Sequence, residues 1–268
     1  MNYETLIYNK KNDIATVTMN RPDVRNALNE VLIKELTHCF NHISDDDSII
    51  AVILTGNGKS FCAGADLLWM KRMVNYSKHE NLEDSNLLLE MYEAVNTCSK
   101  PVIGRINGHT FGGGIGLLAT CDITITIPGV QFAFSEVKLG IIPAVISTFV
   151  ATRMKLADMR RYFITGERFD SDMANIIGLI DFIVPVEKLD ETVNSYIEQL
   201  CSSSPSAIKE VKDLIYNFKR MDIKKYKEFT VEKISELRIS KEGQEGISAF
   251  LEKRKPNWKR KKSCLKKS

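Results

Sequence analysis

Two short apolar runs constrain the fold of this chain more than any other feature. Ile49-Ile50-Ala51-Val52-Ile53-Leu54 ends in Thr55-Gly56-Asn57-Gly58, and Val102-Ile103-Gly104-Arg105-Ile106, introduced by Pro101, ends in a glycine-rich turn. Runs this short and this apolar read as strands buried on both faces, which need helices to cover them. The neighbouring segments supply those helices. From Ala27 to Ile43, Leu28, Val31, Leu32, Leu36, Phe40 and Ile43 recur at three- and four-residue steps, the spacing of one helical face. A second helix is expected over 82–97. Residues 13–19 alternate as a half-buried strand that Arg21-Pro22-Asp23 breaks, and further strands are expected at 123–127 and 131–134. This rhythm of strand, helix and strand predicts an α/β core.

After Pro185 the pattern becomes helical. Leu189/Val193/Ile197/Leu200, Ile208/Val211/Leu214/Ile215/Phe218 and Phe229/Ile234/Leu237 mark three helices, and a shorter one is expected over 246–253. Their apolar faces must be covered by the core or by another subunit. The chain therefore divides into a core over 1–195, a helical region over 196–258 and a basic tail over 259–268.

With 268 residues, 44% of them hydrophobic and 26% charged, the chain has the composition of a globular protein. Disorder and a disulfide-stapled miniprotein are excluded. The longest apolar stretch, 141–151, is interrupted by Pro143, Ser147 and Thr148 and falls far short of the roughly 20 residues of a membrane span. Met1-Asn2-Tyr3-Glu4 lacks the basic start of a signal peptide, so a cytoplasmic location is expected. Nine Lys and Arg lie in 253–268 with no acid, so the net charge of +3 is +9 there against −6 over the other 252 residues. A mildly acidic body with a basic tail is not a nucleic-acid-binding domain. The six cysteines are scattered, without Cys-x-x-Cys or a metal-type cluster, and are expected to be reduced and mostly packed.

Chemistry is expected at two small-residue turns. Ser60-Phe61-Cys62-Ala63-Gly64-Ala65-Asp66 follows the first buried strand, and Asn107-Gly108-His109-Thr110-Phe111-Gly112-Gly113-Gly114 follows the second and opens a helix. Backbone N–H groups at a helix start lack partners and have the positive end of the dipole behind them. Two such turns facing each other could hold one developing oxyanion between two donors. Other signatures are missing. Gly112-x-Gly114-x-Gly116 has the wrong spacing for a dinucleotide site. There is no phosphate loop of the Gly-x-x-x-x-Gly-Lys-Ser/Thr form, no His-Glu-x-x-His and no Gly-x-Ser-x-Gly.

The ordered set Arg21-Pro22, Asn26-Ala27-Leu28, Phe61-Cys62-Ala63-Gly64-Ala65-Asp66-Leu67, Asn107-Gly108, Gly112-Gly113-Gly114, Cys121-Asp122-Ile123 and 134–143 resembles the crotonase (enoyl-CoA hydratase/isomerase) superfamily, on to Gly246, Ala249-Phe250 and 253–255. Within it, 66–73, 111–117 and 135–147 resemble bacterial methylglutaconyl-CoA hydratase-like members. The resemblance implies a spiral of repeated ββα units with a C-terminal helical region that assembles homotrimers or homohexamers. It implies that the Ala65 and Gly113 N–H groups grip the thioester oxygen of an acyl-CoA, and that Glu136 transfers protons. The second glutamate of many hydratases falls on Gly116. Val24, Arg25 and Ala63 are implied to hold coenzyme A, with Phe250 and Lys253 reaching it from a neighbouring subunit. Asp66, Leu68, Trp69, Met70, Gly112, Pro143 and Ala144 are implied to surround the acyl group, with the Ala144 N–H placing a water. No metal is implied, and no cofactor beyond the coenzyme A that enters with the substrate.

The remaining polar residues have plainer readings. His109 is expected to be structural or pocket-lining, and His38 and His42 to lie on a helix surface or pack there. Asp66 and Asp122 are expected to cap regular elements. From pattern alone Trp69, Met70 and Met73 are core, and Lys71 and Arg72 are a solvated helix face. The implied activity is hydration of a 2-enoyl-CoA, 3-methylglutaconyl-CoA being one candidate. Isomerisation by one glutamate is the alternative, and a non-enzymatic polyanion binder using the tail is the reading from another class.

Overall fold

Each buried strand is followed, after its turn, by a second and shorter strand that belongs to a different sheet. The computed structural model describes residues 2–258, so the basic tail at 259–268 lies outside the described residues. In chain order, β1 (Leu6–Lys11), β2 (Ile14–Met19), α1 (Glu30–Asp45), β3 (Ala51–Gly56) and β4 (Ser60–Cys62) come first. Then follow α2 (Leu67–Met73), α3 (Lys78–Asn96), β5 (Val102–Ile106), β6 (His109–Phe111), α4 (Gly113–Ala119), β7 (Ile123–Thr126) and β8 (Gln131–Ala133). Next are α5 (Ala144–Val150), α6 (Leu156–Thr165), β9 (Arg168–Asp170), α7 (Ser171–Ile176) and β10 (Phe182–Ile183). The chain closes with α8 (Leu189–Ser202), α9 (Pro205–Asn217), α10 (Ile223–Ile239) and α11 (Lys241–Leu251).

One sheet has the order β1-β2-β3-β5-β7-β10 and the other β4-β6-β8-β9. The successive pairs β3 and β4, β5 and β6, and β7 and β8 give one strand to each sheet, with helices after them, so the chain climbs as a spiral of ββα units. All pairings are parallel except β1 with β2 and β8 with β9. The larger sheet is apolar on both faces. Val52, Leu54, Val102 and Ile106 join α1 and α3 in the main core, while Ile50, Ile103 and Ile125 pack on Leu189, Val193, Ile197 and Cys201 of α8. Each such buried aliphatic side chain contributes about 1.5–3 kcal/mol. The boundary expected at 195/196 therefore falls inside a helix that belongs to the core.

Two helix starts differ from the apolar spacing. α1 begins at Glu30, because Asn29 Oδ1 caps it through the Leu32 N–H and Leu28 is drawn out into a bridge with Ala65. α3 begins at Lys78, where Ser77 and Glu80 form a capping box well before the first apolar residue. β1 was not anticipated, since its Ile-Tyr-Asn-Lys-Lys is mostly exposed at a sheet edge. Cys39, Cys62, Cys98 and Cys121 are buried free thiols. The expectation of reduced thiols holds for those four. Among the described residues no helix is long and apolar enough to cross a membrane.

Candidate active site

The two small-residue turns come together because each contains a strand of the smaller sheet. β4 and β6 pair in parallel, Ser60 with His109 and Cys62 with Thr110. Gly64, at φ +88°, lies against the facing turn so closely that a Cβ there would stand 3.0 Å from the Phe111 carbonyl oxygen. Leu28 then orients the first donor. Its N–H bonds the Gly64 carbonyl (2.7 Å) and its carbonyl accepts from Asp66 N–H (2.8 Å). This parallel bridge turns the N–H of the intervening Ala65 away from Leu28. Gly113 is the first residue of α4, where an N–H has no partner within the helix. Among the described residues neither the Ala65 nor the Gly113 N–H donates to another backbone group.

Glu136 follows β8 in a short 3-10 turn and reaches back over the second turn. A Cβ on Gly112 would lie 3.2 Å from Glu136 Oε1, and Gly112 itself sits at φ +48°, so conformation and space both require glycine. Glu136 Oε2 is buried with no hydrogen-bond partner among the described residues. Burial pushes this carboxyl above its ordinary value, and a bond to its own backbone opposes the shift only in part. A desolvated carboxylate oxygen against the turn that carries the Gly113 N–H can move a proton next to a developing oxyanion.

The ground at Gly116 is filled. A Cβ there would collide with Ile146 Cγ2 and stand 2.8 Å from Cε1 and Cζ of Tyr92. Tyr92 is fully buried, and its hydroxyl donates to the Gly113 carbonyl at 2.8 Å. Sequence reasoning passed over Tyr92 as one more residue of a helix. No local signal marks it, since its partner lies 21 residues away.

The remaining candidates separate. Ala63 donates its N–H to the Arg25 carbonyl at 3.0 Å, which brings the exposed Val24 and Arg25 beside the first turn. Leu68 is exposed, Met70 half-buried and Trp69 buried, with Trp69 Nε1 donating to Asp84. Asp66 is buried beneath the turn. It accepts from the Leu68 and Trp69 N–H groups as the cap of α2 and pairs with Arg21 Nη2 at 2.8 Å. Burial alone would push its carboxyl up, but the bonds from Arg21 and α2 outweigh this and hold it below its ordinary value. Asp122 does not cap a helix. Its Oδ2 accepts from the Val102 N–H at 2.7 Å and from Lys212, tying the start of β5 to α9. The expected free N–H of Ala144 is already engaged, donating to the Ile142 carbonyl at 2.7 Å across an inverse γ-turn centred on the buried Pro143. His109 is structural, its Nδ1 accepting from the Gln131 N–H. His38 pairs with Tyr3 on the surface. Arg72 grips Glu30 with three bonds of 2.7, 2.8 and 3.3 Å, whereas Lys71 is simply exposed. Burial pushes the Cys62 thiol up to about 12, which leaves it a neutral packing group. Phe250 is 83% exposed and Lys253 is exposed just beyond α11. A cavity of about 520 Å³ lies elsewhere, between Ile49–Ile50, Ser99–Pro101 and the start of α9, and no residue of the two turns lines it.

A family model described as enoyl-CoA hydratase/isomerase matches residues 9–261. The chain is 34% identical over 257 residues to the short-chain-enoyl-CoA hydratase of Clostridium acetobutylicum, covering 95% of this chain and 97% of that protein. It is 31% identical over 260 residues to the crotonyl-CoA hydratase of Syntrophomonas wolfei, covering 96% and 99%. Among solved structures, an enoyl-CoA hydratase from Shewanella pealeana superposes with a TM-score of 0.91 at 36% identity, covering 95% of this chain and 96% of that one.

Proposed function

The chain belongs to the enoyl-CoA hydratase/isomerase family, and from that premise we propose that it adds water across the 2,3 double bond of a 2-enoyl-CoA. The observation that carries this reading is the Glu136 carboxylate, with one buried oxygen unpartnered, lying against Gly112 beside the unpaired Gly113 N–H. The thioester oxygen sits between the Ala65 and Gly113 N–H groups, which makes the β-carbon electrophilic and stabilises the enolate that follows. Glu136 takes a proton from water as its oxygen attacks the β-carbon, then returns that proton to the α-carbon on the same face. Glu136 alone orients the water, since the Ala144 N–H is engaged with Ile142.

Coenzyme A enters and leaves as part of the thioester, held along Val24, Arg25 and Ala63 and completed by Phe250 and Lys253 of a neighbouring subunit in a homotrimer or a pair of trimers. The acyl group lies among Leu68, Trp69, Met70, Gly112, Pro143 and Ala144. The likeness of 66–73, 111–117 and 135–147 to methylglutaconyl-CoA hydratases supports 3-methylglutaconyl-CoA as one substrate, with the exposed Lys71 as the cation for its distal carboxylate. One observation favours a second reading. The filled ground at Gly116 leaves a single carboxylate, which is sufficient to shuttle a proton between two carbons and so isomerise a 3-enoyl-CoA. A spectrophotometric panel of 2-enoyl-CoA, 3-enoyl-CoA and 3-methylglutaconyl-CoA tests both. Loss of enoyl absorbance with 2-enoyl-CoA supports hydration, its gain from 3-enoyl-CoA supports isomerisation, and no change with any thioester overturns the enolate chemistry.

A further inference from the structure

The chemistry proposed above uses no atom of Tyr92, yet Tyr92 touches the parts of α4 on which that chemistry depends. Gly112, Gly113 and Gly114 have no side chains with which to anchor themselves, and glycine backbone has more conformational freedom to restrain than any other. Two bonds from outside the helix do this. The Gly112 N–H donates to the Ala133 carbonyl of β8 at 3.0 Å, and the Tyr92 hydroxyl donates to the Gly113 carbonyl at 2.8 Å. The Gly113 N–H lies between these two anchors. The tyrosine ring is itself fixed, packed on Phe149 with centroids 5.4 Å apart and seated against the Cα of Gly116.

We infer that Tyr92 is a positioning residue for the oxyanion turn: its hydroxyl aims the Gly113 N–H by holding the Gly113 carbonyl, and its ring occupies the ground a second carboxylate would need. This role presupposes the enolate chemistry proposed above. A small misplacement of one reacting group can cost far more in rate than in binding. Loss of the hydroxyl should therefore appear in kcat rather than KM. Burial, and after it the neighbouring Cys62 and Glu136, holds the phenol far above its usual range, so it stays a donor at any working pH.

The test compares Tyr92→Phe with Phe149→Leu, which loosens the same ring but keeps the hydroxyl. Turnover of 2- and 3-enoyl-CoA is measured together with the absorption of a bound aryl-enoyl-CoA, whose band moves to the red when its thioester carbonyl is polarised. Tyr92→Phe is expected to lower kcat about tenfold with KM within about twofold, and to lose most of the red shift. Phe149→Leu is expected to lower the melting temperature while keeping the shift. An unchanged shift in Tyr92→Phe overturns the inference, and so does equal loss in both variants, which would assign the effect to packing. Failure of the functional reading looks different: the wild-type protein itself would turn over no enoyl-CoA and shift no probe.

Discussion

Helices α8 and α9 are separated by two residues and carry apolar stripes of similar length, yet they end in different surroundings. α8 buries Leu189, Val193, Ile197 and Cys201 against the larger sheet, whereas α9 buries no residue, and neither does α10. Val211 and Ile215 of α9, Phe218 just after it, and Val231 and Ile234 of α10 stand roughly half or more exposed. Apolar area exposed on this scale is what the proposed assembly would cover. The core is complete in a different sense. Its two turns, Glu136 and Tyr92 are brought together by strand pairing and packing within one chain. On the proposed reading the labour is divided, with chemistry in the spiral and association in the helices after α8.

The strongest way to break that division is to disable the chemistry without disturbing association. Glu136→Gln keeps the shape of the side chain but cannot accept a proton, so kcat should fall about 10²–10⁴-fold with little change in substrate binding. A light-scattering mass equal to that of the wild type completes the test. Retention of more than about a tenth of wild-type turnover would falsify the single-carboxylate mechanism.

Next in size is the oxyanion donor. Gly113→Pro removes the N–H, which is commonly worth about a hundredfold or more in rate. The structure adds a control, because any Cβ at Gly113 would approach Leu28 Cδ1 and the Tyr92 hydroxyl at 2.9 Å. Gly113→Ala introduces that Cβ and keeps the N–H. The proline variant should be about a hundredfold slower than the alanine variant while still binding coenzyme A. Equal losses would show that crowding, not the missing donor, sets the rate.

Gly116→Glu asks whether the core can accept a second carboxylate. Its side chain has to displace Ile146 and Tyr92, so over-packing and an unpartnered buried acid should together cost about 3 kcal/mol of stability or more. It should not rescue Glu136→Gln. Denaturant melts and turnover of the double variant check both statements, and a stable, rescued double variant would mean that Tyr92 swings aside readily.

How much of this was legible in the sequence follows the range of the interactions. The buried strands were readable because both faces are apolar, so composition alone marks them. The donor turns were readable from their small residues. β4 and β6 were not, because three-residue strands carry no period and both read as turn, whereas β8 falls within the strand expected at 131–134. Asp122 and Ala144 misled for different reasons, one distant and one local. The partner of one is Lys212, 90 residues away, and the N–H of the other is taken up by a γ-turn that only the backbone around Pro143 reveals. Residues whose role depends on a distant contact look locally like caps or linkers.

On the association side, the expected effects are smaller. Ile215→Glu with Val231→Glu places charge on the exposed faces of α9 and α10, and light scattering should report a drop in mass toward the monomer. Because Phe250 and Lys253 are proposed to complete the coenzyme A site of a neighbour, KM for the thioester should rise several-fold, by about 1 kcal/mol of binding, while kcat holds within about twofold. An unchanged mass, or a wild type that is already an active monomer, would remove the proposed roles of both helices and of these two residues.

The smallest effect tests whether the core holds its chemistry at a cost to its own stability. Burial raises the Glu136 carboxyl above the ordinary 4.5, so the folded chain holds that proton more tightly than the unfolded chain does. The sign follows directly. The contribution of Glu136 to stability is fully present below the ordinary value and is lost as pH rises through the raised one. Once ionised, the unpartnered Oε2 is therefore a burden that glutamine does not carry. Glu136→Gln should melt about 2 °C above the wild type at pH 8, corresponding to about 1 kcal/mol, and the advantage should close as pH falls below the ordinary carboxylate range. In the wild type the same raised value should place the acid limb of kcat/KM above that of an exposed glutamate. If Glu136→Gln were less stable than the wild type at pH 8, the carboxylate would have a stabilising partner in the resting protein. It would then be a structural group held by its neighbours, and the division between a self-contained catalytic spiral and an associating helical region would lose its catalytic half.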